Sequence, residues 1–295
     1  MSKERTNAGA ARAEARADHD DRITEQTLLL FNALDTDADG HVSSGTLLGT
    51  LDRVGIRRDD PRLSSLLEEL KRHPDEEMDL EAFRRAIRTC VRIVTRATRG
   101  QMVIPDFEAF SSTITAIYRA TESNTDGDVA DYIPQLGRVN PAYWAVGVCT
   151  IDGQRISLGD HEVDFCVQSC CKPINYCLVL EEHGRDEVHK YIGREPSGRG
   201  FNELTLDHDG RPHNPMINAG AIMGCALIRQ GHDAADRFDY VVDAWRRLCG
   251  GPRPGFNNAV YLSERQTADR NFALGYFMRE HGSFPEGSEL LDTLE

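Results

Sequence analysis

A serine and a lysine three residues apart, Ser169 and Lys172, carry the most open chemistry in this sequence. On a helix this spacing sets a hydroxyl and an amine one turn apart on one face. A partly desolvated lysine loses its charge readily and can take the serine proton, leaving a nucleophilic oxygen. Pro173 lacks a backbone N–H and is tolerated near a helix start. Ser169 is therefore expected at the N-terminal end of a helix, where free N–H groups can stabilise an oxyanion. Apolar residues run on to Leu180, and Gly184 is a natural stop. Lysine stands at four positions only, Lys3, Lys71, Lys172 and Lys190, in an arginine-rich chain. One kept inside an apolar stretch points to proton transfer, which arginine cannot perform. A capping serine followed by a surface lysine would read the same way.

A second constellation is Asp35-Thr36-Asp37-Ala38-Asp39-Gly40-His41-Val42-Ser43. Alternate acids can aim several oxygens at one cation, Gly40 supplies the sharp turn, and Val42 would pair with a partner loop through its backbone. The twelfth position, where calcium loops carry a bidentate glutamate, is Thr46. The sequence predicts a helix–loop–helix with Asp35, Asp37 and Asp39 as calcium candidates and weak binding at most. The segment around His73 to Asp79 shows no second loop of this kind.

The elements that must hold these residues fall into four stretches. Residues 1–22 read as a solvated, disordered arm. Residues 23–120 carry helical periodicity throughout: Leu28, Phe31 and Leu34; Leu47, Leu48, Leu51 and Val54; Leu63, Leu66, Leu67 and Leu70 behind Asp60-Pro61; Phe83, Ile87, Cys90 and Val94; and Phe107, Phe110, Ile114 and Ile117 behind Pro105-Asp106. Residues 121–130 are polar and turn-rich and read as a linker. Residues 131–295 open with strand-like runs, Trp144 to Ile151 and Arg155 to Leu158, joined by Asp152-Gly153. Helices are expected near 170–183, 216–230, 235–249 and 264–281. Strands followed by helices predict an α/β or α+β domain behind an all-helical one. A hairpin upstream of a Ser-x-x-Lys helix is also the order of penicillin-binding and class A β-lactamase folds.

Net charge is -14 with a pI near 5.2, which argues against nucleic acid as a partner. Apolar runs are too short to cross a bilayer. The eight cysteines include no C-x-x-C pair and fit a reduced, cytoplasmic compartment. The Ala- and Arg-rich start resembles a transit peptide in part, but Glu4, Glu14, Asp18, Asp20 and Asp21 count against one, so a mitochondrial location is the lesser expectation.

Asp131 to Leu136, Gln168 to Pro173, Glu195 to Gly198, His213 to Ile222, Ser263 to Arg265 and Asp269 to Ala273 together resemble the glutaminase family, most closely its long animal forms. Asp60 to Leu63 and Val103 to Phe107 resemble the EF-hand-like domain of the same forms. The resemblance implies a β-lactamase-like second domain that hydrolyses L-glutamine with water through a γ-glutamyl ester on Ser169, Lys172 being the base. It implies that Tyr132, Gln168, Asn218, Glu264 and Asn271 surround the substrate, with no cofactor, and that the full-length form is a homodimer or tetramer. Glu264 would face the α-amino group, and Asn271, seven residues on, would share its helix face. Taken alone, Glu264 equally suits a first helical turn behind a Ser263 cap. Two departures accompany the likeness. Family members run well past Glu295, so this stretch is expected to be inactive alone and to leave the Trp144–Leu158 hairpin with an open edge. Glu203, in the segment Gly198 to Leu206 that resembles an activation loop, stands where the animal enzymes have lysine. A β-lactam- or peptide-acting hydrolase of the same fold, or a non-catalytic regulatory form, are the competing readings.

Overall fold

In this computed structural model the described residues are 25–72, 77–251 and 254–294. The predicted arm and part of the segment after Arg72 lie outside them. Two compact units emerge, and the chain enters each twice. The first comprises the stretch up to Asp126 together with Ala142–Val163; the second comprises Gly127–Pro141 and Asp164 onward.

The first unit is built of short amphipathic helices, several of them started by a side chain that meets an otherwise unpaired amide. A helix runs through residues 25–34 (α1). Ser43 caps α2 (Ser44–Arg53) through the Thr46 amide, and Asp60 accepts from Arg62 ahead of α3 (Ser64–Arg72). Asp79 caps α4 (Leu80–Ile87), Cys90 precedes α5 (Val91–Thr98), and Asp106 caps α6 (Phe107–Thr121). The fourth predicted helix is thus two, broken at Cys90, because Phe83 and Ile87 face the core from one axis and Ile93 and Val94 from another. Leu30, Leu47, Leu63, Leu66, Phe83 and Ile87 form that core, with the Phe31 and Phe83 rings meeting edge to face at 5.5 Å.

The unit is completed by an antiparallel hairpin, β1 (Ala145–Cys149) and β2 (Arg155–Gly159), in the register Ala145↔Gly159 to Cys149↔Arg155. Its loop spans residues 150–154. Thr150 accepts from the Gly153 amide, so Ile151-Asp152 occupy the turn centre and Gly153, at φ 86°, follows in the left-handed region. The sequence reading places this hairpin at the head of the second domain with an open edge; it belongs instead to the helical unit. Gln154 forms a bridge with Ile56, and the Arg155 amide donates to Gly55 O at 2.8 Å. The fully buried Gln154 amide donates to Val54 O and Ile104 O at 3.0 and 2.9 Å, and its oxygen accepts from the Ile104 amide at 3.0 Å. Asp152 pairs with Arg96 and accepts from the Val103 amide at 2.6 Å. The hydrophobic pattern of five residues could not announce this, because the hairpin is held by side chains reaching helix ends far away in sequence.

The second unit is helical among the described residues: α7 (Cys171–His183), α8 (Arg185–Tyr191), α9 (Asn218–Leu227), α10 (Ala234–Cys249), α11 (Asn258–Gln266), α12 (Asp269–Glu280) and α13 (Leu290–Leu294). Apolar α9 lies against both α7 and α12, with Val179, Met223, Leu227, Leu274 and Met278 between them. The expected helix over 264–281 is two helices that meet at Thr267-Ala268. Asn257, not Ser263, caps α11, and Glu264 lies in its last turn rather than a first one. Among the described residues no helix is long and apolar enough to cross a membrane.

Candidate active site

A single 3₁₀ turn, Gln168–Cys170, leads into α7 and carries Ser169 exposed at its apex. Pro173 takes the third position of the helix, where no amide hydrogen is needed. Gln168 sits at φ 45°, a left-handed conformation that a residue with a side chain adopts at a cost of order 1–3 kcal/mol. That strained backbone turns the Gln168 side chain towards two others. Its oxygen accepts from the Tyr132 hydroxyl at 2.9 Å, and its amide nitrogen donates to Glu264 Oε2 at 3.4 Å.

A second triplet stands on the next turn. Lys172 Nζ donates to Asn218 Oδ1 at 2.7 Å and to Met216 O at 3.0 Å, and Asn218 Nδ2 donates to Asn271 Oδ1 at 3.1 Å. The structure therefore joins six of the seven sequence-predicted site residues into two hydrogen-bonded sets, Tyr132–Gln168–Glu264 and Lys172–Asn218–Asn271. Ser169 lies between Gln168 and Lys172 in the chain. Asn271 and Glu264 come from different helices, α12 and α11, and converge through the bend at Thr267-Ala268 and not by sharing a face.

Local sequence explains how Asn218 is aimed. Asn214 Oδ1 accepts from the Met216 and Ile217 amides at 3.0 and 3.3 Å, forming the turn that starts α9. The Asn218 amide donates to Phe201 O at 2.8 Å. Gly220 lets this turn close, since a Cβ there would collide with the Asn214 carbonyl. Met216 O and Phe201 are partners that sequence reasoning missed; the Phe201 ring lies 5.7 Å from Lys172 Nζ. Phe201 falls in the Gly198–Leu206 segment, the one signal that could have flagged it. Glu203 in that segment holds its own loop, accepting from the Gly200 amide at 2.9 Å.

Burial pushes the Lys172 amine below the usual lysine range, against a smaller opposite pull from the neighbouring Cys171. Burial likewise raises the Tyr132 phenol, helped by the Glu264 carboxylate. A lysine shifted this way, three residues on from an exposed serine, can serve as a base in acyl transfer, although the hydrogen bonds of its amine go to Asn218 and Met216 and not to Ser169.

The calcium candidates are brought together too. Single ligand atoms of Asp35, Asp37 and Asp39 lie within 4.8 Å of one another. Val42 and Met78 exchange backbone hydrogen bonds at 2.9 Å in both directions, the pairing expected of Val42. The twelfth-position Thr46 hydroxyl bonds Ser43 Oγ at 2.9 Å and supplies no carboxylate. Glu77, carried next to Met78, reaches Asp39 and His41, an approach legible only once the Val42–Met78 pair is known.

One unit with an EF-hand-like loop and another with a helix-borne serine and lysine define the class of chain, a two-unit one with a serine–lysine site, and sequence comparison gives it a family. A glutaminase family model matches residues 127–295, and an EF-hand domain model matches residues 26–105. A Caenorhabditis elegans relative, provisionally named glutaminase 3, is 44% identical over 282 residues, covering 92% of this chain and 48% of its own length. The mitochondrial liver isoform of glutaminase from Mus musculus is 40% identical over 250 residues, 83% of this chain and 42% of its own. The solved structure of Mglu in its Tris and glutamate form is similar at a TM-score of 0.57 and 30% identity, over 62% of this chain and 41% of that one. The chain belongs to the glutaminase family, and it spans about half the length of the curated relatives it matches. Its second unit thus belongs to the β-lactamase-like glutaminase fold, with the EF-hand domain ahead of it.

Proposed function

We propose that the protein containing this chain hydrolyses L-glutamine to L-glutamate and ammonia through a γ-glutamyl ester on Ser169. The observation that carries this is the joining of Tyr132, Gln168 and Glu264 in one hydrogen-bonded set and Lys172, Asn218 and Asn271 in another, sets whose Gln168 and Lys172 flank Ser169 in the chain. Neutral Lys172, directly or through a phenol, takes the Ser169 proton. The serine oxygen attacks the side-chain amide carbon, the C–N bond breaks, and the departing nitrogen takes the proton as ammonia leaves. Water then attacks the ester, giving its proton back along the same path and freeing glutamate. Glu264 suits the α-amino cation of the substrate, and Asn218 and Asn271 supply amides for its carboxylate. Trapping with a diazoketone analogue of glutamine, followed by mass spectrometry, tests this: the adduct is expected on Ser169 and absent in Ser169→Ala. A label on exposed Cys170 or on Cys171 would sink the mechanism.

The same proposal covers the setting. All eight cysteines are free, which suits a reducing cytosolic compartment; fractionation of the source cells tests it. The full-length form is proposed to be a homodimer or tetramer, to be read by light scattering. The Asp35 loop is proposed as a calcium site no tighter than roughly millimolar, because its twelfth-position carboxylate is missing. Calorimetry that finds a micromolar site would overturn this and make calcium a regulator.

A further inference from the structure

The first unit carries a second cavity chemistry, in a different unit from Ser169. A groove of about 610 Å³ lies between the end of α2, the turn after it, the length of α6 and the start of β2. Four guanidiniums line it: Arg53, Arg57, Arg119 and Arg155. So do the Ser111 and Ser112 hydroxyls on α6, while Ala116 and the edge of Phe107 supply an apolar floor. Two acids share the lining, Asp52 and Glu108, against four arginines, in a chain whose overall charge is -14. The inversion of sign is local and strong.

Pairing sharpens the picture. Arg155 bonds Asp59 at 2.9 Å, and Arg57 is 3.5 Å from the same carboxylate. Asp52 is taken by Arg58, which does not line the groove, at 3.2 Å. Arg53 and Arg119 have no carboxylate partner among the described residues. Each stands in the last turn of its helix, where the dipole favours a cation. That accounts for each arginine singly. It does not account for two unpaired guanidiniums and two free hydroxyls facing one cavity from separate elements.

We propose that this groove binds a phosphoryl-bearing small molecule, with Arg53 and Arg119 gripping the phosphoryl oxygens and Ser112 donating a further hydrogen bond. The guanidinium fork matches tetrahedral oxyanions in paired bonds, and hydroxyl donors complete the shell. The apolar floor would take the body of a phosphate ester. Free pyrophosphate and adenosine monophosphate separate the two sources of the same group: tighter binding of the nucleotide means that the floor is used, and tighter binding of pyrophosphate means that the rim alone acts.

Isothermal calorimetry on the whole chain at low salt reads this directly. Binding of either compound is expected, weakened at least about tenfold by Arg53→Ala with Arg119→Ala, the scale of lost charge-assisted bonds. Arg84→Ala should leave it unchanged, since Arg84 and its partner Glu81 both lie outside the groove lining. Both substituted arginines are exposed and their side chains have no carboxylate partner among the described residues, so the fold should survive, with thermal unfolding as the check. Three results would each overturn the proposal: no heat with either compound, affinity untouched by the double substitution, or citrate binding as tightly as pyrophosphate.

Discussion

Lys172 illustrates how much one side chain can be asked to do. Its amine is desolvated, which favours the neutral form, yet it also donates to Asn218 and Met216, bonds that favour the charged one. Desolvation wins, so its folded-state pKa lies below the ordinary lysine value. The sign follows: the charged amine costs stability at neutral pH, and that cost is lifted as pH rises through the folded pKa towards the unfolded one. If the neutral amine is the base, turnover of the full-length protein should rise with pH along one acidic limb below the ordinary lysine value. Asn218→Ala removes an acceptor of the ammonium and should move that limb to lower pH. A pH–kcat profile measures it, and a limb moved upward would count against Lys172 as base.

Element by element, much of the site was readable from the chain, and the unread parts have physical reasons. The α7 start at Ser169 follows from Pro173 and the apolar run behind it, both local signals. The Val42 pairing follows from the loop pattern. The Glu264–Asn271 relation was misread because periodicity continues across Thr267-Ala268, while the backbone does not; seven residues apart looked like two turns of one helix. Met216 O could not be foreseen, since a backbone carbonyl leaves no mark in residue type. Gly220 lies at the other extreme, a residue whose identity is dictated by what passes over it. Gly220→Ala would drive a Cβ into the backbone of Asn214 and Pro215. It is expected to destabilise the second unit by about 1–3 kcal/mol, the scale of overpacking, and to weaken the Lys172–Asn218 contact. Urea unfolding checks the first effect. A neutral substitution would mean that the turn relaxes and does not fix Asn218.

At the scale of the whole molecule, the sequence suggests two consecutive domains and a hairpin opening the second. The structure instead returns residues 142–163 to the first unit. The reason is polar and buried: Gln154 and Asp152 meet backbone groups of Val54, Val103 and Ile104 that would otherwise lose their partners. A fragment ending at residue 126 should therefore be less stable than one ending at residue 163, by roughly 5 °C or more in Tm. Gln154→Ala in the longer fragment should recover most of that deficit's size, about 1–3 kcal/mol, by stranding three backbone groups. Equal melting of the two fragments would show that the hairpin is an ornament to the helical unit.

The double passage of the chain has a consequence for inheritance. A domain made of one continuous stretch can be gained or lost by a single join in a gene. Here the helical unit is closed by twenty-odd residues encoded downstream of a piece of its neighbour. A recombination point anywhere between residues 127 and 141 would separate the helices from Gln154 and Asp152. Only exchanges that carry everything through residue 163, including that piece of the neighbour, hand on an intact helical unit. On a ribosome the same arrangement delays closure of the unit until residue 163 has emerged. The helical unit is thus bound to travel and mature with that piece of its neighbour, whatever the rest of the second unit does.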